Sequence, residues 1–410
     1  MNAQRNKILL AIAGTLLVSC AAQEQSAQRS GRESLTVVAL GDAGEKNGNL
    51  KANASLVGRM QTGEHDGGHT DMILFLGDNF YPTGLNVPLT SVDDKAGSVL
   101  NYFEDTFTEL GRDRVYAIPG NHDYYTKHAF EASALFGLIN IELGPMGISD
   151  RGNERAKALP EWTYYYNMPA QAVIPLAGES TDSVAFIFFD SARLMRTDPF
   201  TWAPALDSLE SLLRHSARST GIVWRVLVVH HPFYSLGEHG GYTVWNDEIE
   251  DIERLTPCDK DSNALSWFKN VLDPEDLCAD RYVAYVDSMK SIIGRNDAVI
   301  HLVLAGHDHS LQLMSYPETN PECLSCPNVH LISGAASKTT SVRKPRPPAE
   351  FTAFDPREND GTSQTGFAQV RFEKDQIRIR FFNGRRGELI NMGGGRTEMF
   401  IDRSGLLRAE

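Results

Sequence analysis

Six short apolar runs, rich in β-branched residues, each end abruptly at a Gly, Asp, Asn or His, and this recurring boundary restricts the fold more than any other feature of the chain. Leu35–Leu40 runs into Gly41-Asp42, Met72–Leu76 into Gly77-Asp78, Val115–Pro119 into Gly120-Asn121-His122-Asp123, and Val184–Phe189 into Asp190. Val226–Val229 precedes His230-His231-Pro232, and Val299–Ala305 precedes Gly306-His307-Asp308-His309. Nearly continuous apolar runs of this length fit strands buried on both faces. Their polar C-terminal ends then line one edge of a sheet, which is where open α/β sheets bind ligands.

Helix-compatible stretches lie between the runs. From Asp207 to Arg218, for example, Leu209, Leu212 and Leu213 join Leu206 on one face. Later, His330–Gly334 reads as a strand, while Phe367–Glu373 and Gln376–Phe382, separated by Lys374-Asp375, read as a hairpin. These late strands are expected to belong to a second sheet packed on the first. The expected fold class is therefore α/β, with two packed mixed β-sheets forming a sandwich flanked by helices. At 410 residues and 41% hydrophobic side chains, the chain can bury the core that this requires. Two stretches break the alternation. Residues 240–296 read as an insertion carrying Cys258 and Cys278, with Trp245, Trp267 and Phe268 available for a small cap. Residues 338–365 are Pro-rich and polar and read as an irregular loop.

The residues at the strand ends are those that two adjacent cations need. Two metal ions ~3.5–4 Å apart activate water and clamp a phosphoryl group, and they require a shared carboxylate flanked by neutral His, Asn or further carboxylates. Gly41-Asp-Ala-Gly44, Gly77-Asp-Asn-Phe-Tyr81, Gly120-Asn-His-Asp123, His230-His-Pro232 and Gly306-His-Asp-His309 supply them in that order. Any one of these motifs alone is an ordinary turn, because Asp commonly caps helices or Asx-turns. Five of them, each at the end of an apolar run, are not explained by turns. The net charge of −14 argues against a broad basic surface for nucleic acid, so a phosphate would be drawn by metal charge at one place.

With these motifs the chain resembles the calcineurin-like metallophosphoesterases, and within them the purple acid phosphatases of the small, tartrate-resistant kind. Gly77-Asp-Asn-Phe-Tyr-Pro-Thr-Gly84 is the most specific match, and His230-His-Pro-Phe-Tyr-Ser-Leu-Gly-Glu-His239-Gly is a second. The resemblance spans Leu35 to Phe382 apart from the two interruptions, and implies a four-layer α/β/β/α architecture. It implies one metal held by Asp42, Asp78, Tyr81 and His309, and another by Asp78, Asn121, His230 and His307, with Asp78 bridging. A phenolate suits Fe(III), while Asn and two imidazoles suit Fe(II), Zn(II) or Mn(II). By the same resemblance His122 contacts substrate and assists protonation of the leaving group, for which an imidazole near ~6.5 is the right type. His239 matches a second substrate-side histidine. Asp123 is read as orienting His122 or the turn. His231 is set aside, because neighbours in an extended chain point to opposite faces. His65 and His69 read as loop residues, and His128, His215, His301 and His330 have no partners at ligand spacing. Tyr124, Tyr125 and Tyr164–Tyr166 are possible pocket-lining residues.

The N-terminus carries an address. Arg5 and Lys7 precede an apolar run from Ile8 to Val18, then Ser19 and Cys20. The run is about half the ~20 residues a spanning helix needs, and reads as a signal peptide. Leu17-Val-Ser-Cys20 resembles the bacterial lipobox, which implies cleavage after residue 19, lipid on Cys20, a flexible tether over 20–34 and a catalytic domain over 35–400. The expected location is lipid-anchored to a bacterial membrane, in the periplasm or at the cell surface. In such an oxidising compartment Cys258–Cys278 and Cys323–Cys326 are the natural local disulfides, although four cysteines allow three connectivities.

The expected activity is hydrolysis of small phosphate monoesters, of acid phosphatase type, by a metal-bound hydroxide. Phosphodiester hydrolysis on the same ligands is the alternative. A non-catalytic surface lipoprotein would be marked by loss of a ligand or of the catalytic histidine, and neither is lost.

Overall fold

The first apolar run folds as β1 (Ser34–Leu40), buried at every position. A computed structural model describes residues 34–65, 69–82, 84–85, 102, 110, 113–124, 157, 162–176, 180–237, 239, 243–246, 251–254, 279–296, 299–315, 327–342, 352–354, 356, 362–392 and 395–408. The lipobox and all five cysteines lie outside the described residues, and so do Tyr125, His128, Trp267 and Phe268.

After β1, α1 (Gly48–Thr62) is opened by Asn47, whose side chain accepts from the Asn49 and Leu50 amides. It is closed by Gly63 in the left-handed conformation at φ 76, where a side chain would be strained. There follow β2 (Met72–Phe75), β3 (Val115–Ala117), a single turn α2 (Asn121–Tyr124), β4 (Thr163–Tyr164), β5 (Ala170–Pro175), β6 (Ser183–Phe188), α3 (Ser191–Arg196), α4 (Ala203–Arg218) and β7 (Ile222–Val228). A small hairpin, β8 (Thr243–Asn246) and β9 (Asp251–Arg254), precedes α5 (Asp280–Gly294). Then come β10 (Leu302–Ala305), β11 (Leu311–Ser315), β12 (Val329–Ser333), β13 (Thr352–Phe354), β14 (Phe367–Glu373), β15 (Gln376–Asn383), β16 (Glu388–Leu389), β17 (Met399–Asp402) and β18 (Leu407–Arg408).

Among the described residues the first sheet has the order β18-β17-β15-β14-β1-β2-β3-β4, with β16 on β15, and the second has the order β13-β11-β12-β10-β7-β6-β5. Parallel pairings β1–β2–β3–β4 and β6–β7–β10–β12 form the centre of each. The two sheets face each other across a core that includes Val37, Leu74, Val370 and Ile379 from one side and Phe186, Val226, Leu304 and Leu331 from the other. Leu50, Ala54, Val57 and Met60 of α1 cover the outside of the first sheet. Leu209 and Leu213 of α4, with Tyr285, Val286 and Met289 of α5, cover the second. The layers are therefore α/β/β/α.

Two expectations are revised. The hairpin β14–β15 belongs to the first sheet, where β14 pairs antiparallel with β1 over Ser34–Ala39. It closes the side of β1 that β2 leaves unpaired, and its alternate residues Ala368, Val370 and Phe372 enter the inter-sheet core. Residues 280–294, the last part of the stretch set apart at 240–296, are built into the main core, with Tyr282, Tyr285, Met289 and Ile293 fully buried. Among the described residues no helix is long and apolar enough to cross a membrane.

Candidate metal centre

Strand ends β1, β2, β3, β7 and β10 meet at one edge of the sandwich, and the chain turns there through conformations that most side chains avoid. Asp42 (φ 56), Asp78 (φ 52) and His307 (φ 71) are non-glycine residues in the left-handed region, three of four among the described residues. Such residues cost on the order of 1–3 kcal/mol each and persist where surrounding packing dictates them. The packing is tight enough to dictate them. A Cβ on Gly120 would lie 2.2 Å from Asp78 Oδ1, and one on Gly77 2.4 Å from His230 Nδ1.

The hydroxyl of Tyr81 is the focus of one half of the site. It lies 2.7 Å from Asp78 Oδ2, 3.0 Å from Asp42 Oδ1 and 3.0 Å from His309 Nε2. A phenol has one proton and cannot donate to both carboxylates at once, whereas a cation among these four groups would satisfy all of them. The second half is built around His230. Its Nδ1 faces the Leu76 carbonyl at 2.8 Å and must donate to it, so Nε2 presents a lone pair to Asn121 Oδ1 at 2.9 Å and Asp78 Oδ1 at 3.5 Å. Lone pairs that converge in a dry site repel unless a cation lies between them. His307 completes this half: its amide donates to Asp42 Oδ2 at 2.9 Å, and its ring lies 5.1 Å from that of His230. Thus Asp42, Asp78, Tyr81, Asn121, His230, His307 and His309 converge on one edge, with Asp78 facing both halves. The donor set fits two cations.

Electrostatics agree with that fit. Burial, reinforced by the Asp78 charge, holds the Asp42 carboxyl well above the usual range. Burial also pushes Asp78 upward, but neighbouring His122 and His230 and its hydrogen bonds outweigh this and leave it low. Burial, then the two carboxylates, raise the Tyr81 phenol well above its ordinary value. Burial lowers His230, and His309 is pushed down to about 3 by burial and then by His239. Imidazoles whose charging burial disfavours, beside two buried carboxylates in close contact, are groups that a cation would stabilise.

Around this edge stand the substrate-side candidates. The His122 amide donates to Asp78 Oδ1 at 2.8 Å, and its Nδ1 donates to the Pro82 carbonyl at 2.7 Å. That fixes the ring 4.5 Å from Tyr81, with Nε2 on the site side, 3.9 Å from Asp78 Oδ2. The His239 amide donates to Asp308 Oδ1 at 3.0 Å, and its ring lies 4.6 Å from His307 and 5.9 Å from His309. Asp123 is occupied in shaping the turn, accepting from the Gly120 amide at 2.7 Å, the Asn79 amide at 3.0 Å and Asn79 Nδ2 at 3.0 Å.

His231 departs from the sequence reading. β7 ends at Val228 and the chain bends, so the His231 ring turns back to lie 4.4 Å from His307. Its Nδ1 is 3.0 Å from Ser191 Oγ, while Nε2 is buried without a hydrogen-bond partner, and it can share a metal-sized cluster with His230 and His307. The argument from alternating faces fails because it holds only within a strand. Tyr124 points away to donate to Asp190 Oδ2, Tyr165 stacks on Tyr116 and Phe188 inside the sandwich, and Tyr164 packs on Trp162. His301 accepts from the Arg225 amide, His65 faces the Gly387 carbonyl, His69 pairs with Asp71, and His330 packs on Phe233 and Tyr234. None of these four joins the cluster at the sheet edge. Lys338 does approach it and was not singled out in the sequence, because it begins the stretch read as an irregular loop.

The structure is similar to that of PhoD, 11% identical, with 92% of this chain and 71% of that chain covered at a TM-score of 0.51. It is also similar to GAP50, the anchor in the inner membrane complex of Plasmodium, at 16% identity, 87% coverage of both chains and a TM-score of 0.48. No curated protein matches the sequence. The family model described as calcineurin-like phosphoesterase matches residues 35–311, more than half of the chain. The chain therefore belongs to the calcineurin-like phosphoesterase family, hydrolases of phosphoester bonds.

Proposed function

We propose that the protein is a phosphomonoesterase of the acid phosphatase type, using two metal ions of which one is Fe(III). The observation that carries this reading is the Tyr81 hydroxyl held among Asp42, Asp78 and His309. A phenolate donor beside two carboxylates and an imidazole is a hard anionic set that suits Fe(III). Asn121, His230 and His307 suit a divalent partner such as Fe(II), Zn(II) or Mn(II).

When bound, such ions supply Lewis acidity toward the phosphoryl oxygens and a nucleophile drawn from water. The chain's own residues do the rest. Asp78 links the two halves, His122 and His239 flank the opening, and the Pro82 carbonyl holds the His122 ring with Nε2 toward the site. His122 then hands a proton to the departing alcohol oxygen as the P–O bond breaks and water adds to phosphorus, giving alcohol and phosphate. From the lipobox we further propose that the domain works outside the cytoplasm, tethered through Cys20.

The test is turnover of an aryl phosphate monoester against its diester by the domain from Gln23 onward, with metal analysis and a visible spectrum of the same sample. Monoester turnover with a tyrosinate-to-iron band supports the reading. Diester turnover, or a colourless active protein with no iron, overturns it and places the protein elsewhere in the family.

A further inference from the structure

One cationic side chain beside the metal centre has no part in the proposed reaction. Lys338 Nζ stands 3.4 Å from the centroid of the Tyr81 ring, with its side chain about 30% exposed. Its backbone is clamped on both sides of the metal edge. Ser337 Oγ donates to the Asp42 carbonyl, and Asn47 Nδ2 and Asn49 Nδ2 donate to the Ser337 carbonyl at 2.8 and 3.2 Å. Two residues on, the Thr340 amide donates to the His309 carbonyl at 2.9 Å. The lysine is thereby tied to the strand end bearing Asp42 and to the loop bearing His309, so its position over Tyr81 is built in. Its charge is felt by Asp42, His122 and His309.

Its anionic partner here is weak and displaceable. Glu45 Oε2 lies 3.7 Å from Nζ, with the Glu45 side chain half exposed. Partly exposed pairs at this separation contribute little. A phosphate oxygen arriving at the edge would accept a charge-assisted hydrogen bond from Nζ. The charge also distinguishes substrates. A monoester dianion keeps three terminal oxygens, so two can face the metals while one remains for the lysine. A diester has only two terminal oxygens and one fewer charge.

We propose that Lys338 is a specificity-determining residue that takes the third terminal oxygen of a phosphate monoester and biases the site against diesters, with Glu45 as the carboxylate that the phosphate displaces. The inference rests on the phosphomonoesterase reading.

The experiment is kinetic and calorimetric, on metal-loaded wild type, Lys338→Met, Lys338→Arg, Glu45→Gln and the double variant, each checked by thermal melt. Losing one charge-assisted contact should raise KM for an aryl monoester and the dissociation constant of inorganic phosphate about tenfold in Lys338→Met. The monoester-to-diester ratio of kcat/KM should fall about as much, and Lys338→Arg should recover part of it. Glu45→Gln should tighten phosphate, and that gain should vanish in the double variant. Equal losses on both esters, or unchanged phosphate affinity in Lys338→Met, overturn the inference. If the wild type hydrolyses neither ester, the phosphomonoesterase reading fails by itself. The phosphate titration then still decides whether Lys338 binds the anion.

Discussion

Replacing Gly120 by Ala tests the centre at its tightest point. The added Cβ would sit 2.2 Å from Asp78 Oδ1, 2.3 Å from the Asp78 amide nitrogen and 2.7 Å from His230 Cε1. Those contacts fall about 0.8–1.3 Å inside the ~3.5 Å separation at which nonbonded atoms attract. All three contacted atoms belong to Asp78 and His230, the residues proposed to face the metals, two on side chains and one the Asp78 backbone nitrogen. The only relief is to move the Asp78 carboxylate or open the β3 turn, and overpacking of this kind costs roughly 1–3 kcal/mol of stability. The functional cost should be larger, because a 1 Å misplacement in a reacting site costs on the order of 100-fold. Gly58→Ala provides the contrast. Nothing lies within 4 Å of its Cβ position in α1, so it should stabilise by roughly 0.5–1 kcal/mol and leave turnover alone. The assay is kcat/KM on an aryl monoester, metal content per chain and urea unfolding for all three proteins. A Gly120→Ala protein with full metal and wild-type turnover would refute the claim that Asp78 bridges the two halves.

Tyr81→Phe should leave the fold intact but lose metal affinity by more than the ~10–100-fold typical of an outer partner, with any visible charge-transfer band abolished; elemental analysis and a spectrum check it. Asp123→Ala strands the Gly120 and Asn79 amides and removes one of the two partners of Asn79 Nδ2, which keeps the Ile118 carbonyl. With roughly 1–3 kcal/mol for each stranded buried donor, chemical denaturation should show a loss of about 2 kcal/mol or more. Burial holds His301 down to about 4 and His330 down to about 3. Unfolded imidazoles take up protons near ~6.5, so the folded state is favoured fully above that pH and loses stability as pH falls toward about 4 and 3. Urea titrations at pH 7 and 4.5 should show this loss, and His330→Leu should flatten it; an unchanged slope would assign the acid sensitivity to other groups.

The strand ends were legible because burial on both faces writes itself as an apolar run and the chemistry sits where the run stops. Asp42, Asp78, Asn121, His230, His307 and His309 could be placed on one edge on that basis. Sheet membership was not legible. The hairpin β14–β15 follows the second sheet in the chain yet pairs with β1, some 330 residues earlier in register, as Val37↔Val370 shows. Nothing local to the hairpin encodes that partner. His231 was misplaced because a single bend after Val228 changes which side an adjacent residue faces. Lys338 lay in a Pro-rich stretch whose composition says loop, whereas its neighbours Ser337 and Thr340 are tied to Asp42 and His309. The buried helix at Asp280–Gly294 was hidden in a segment judged by its cysteines. There, the hydroxyls of Tyr282 and Tyr285 donate to the Pro232 and His231 carbonyls at 2.6 and 3.1 Å.

The contacts that close the centre join residues very far apart in the chain: the His307 amide to Asp42 across 265 positions, and Tyr81 to His309 across 228. Each joins a strand end of the first sheet to one of the second, so closure on that scale requires the two sheets to be brought together. No fragment lacking either sheet could therefore assemble the ligand set, and cation capture serves as a chemical marker that folding has finished.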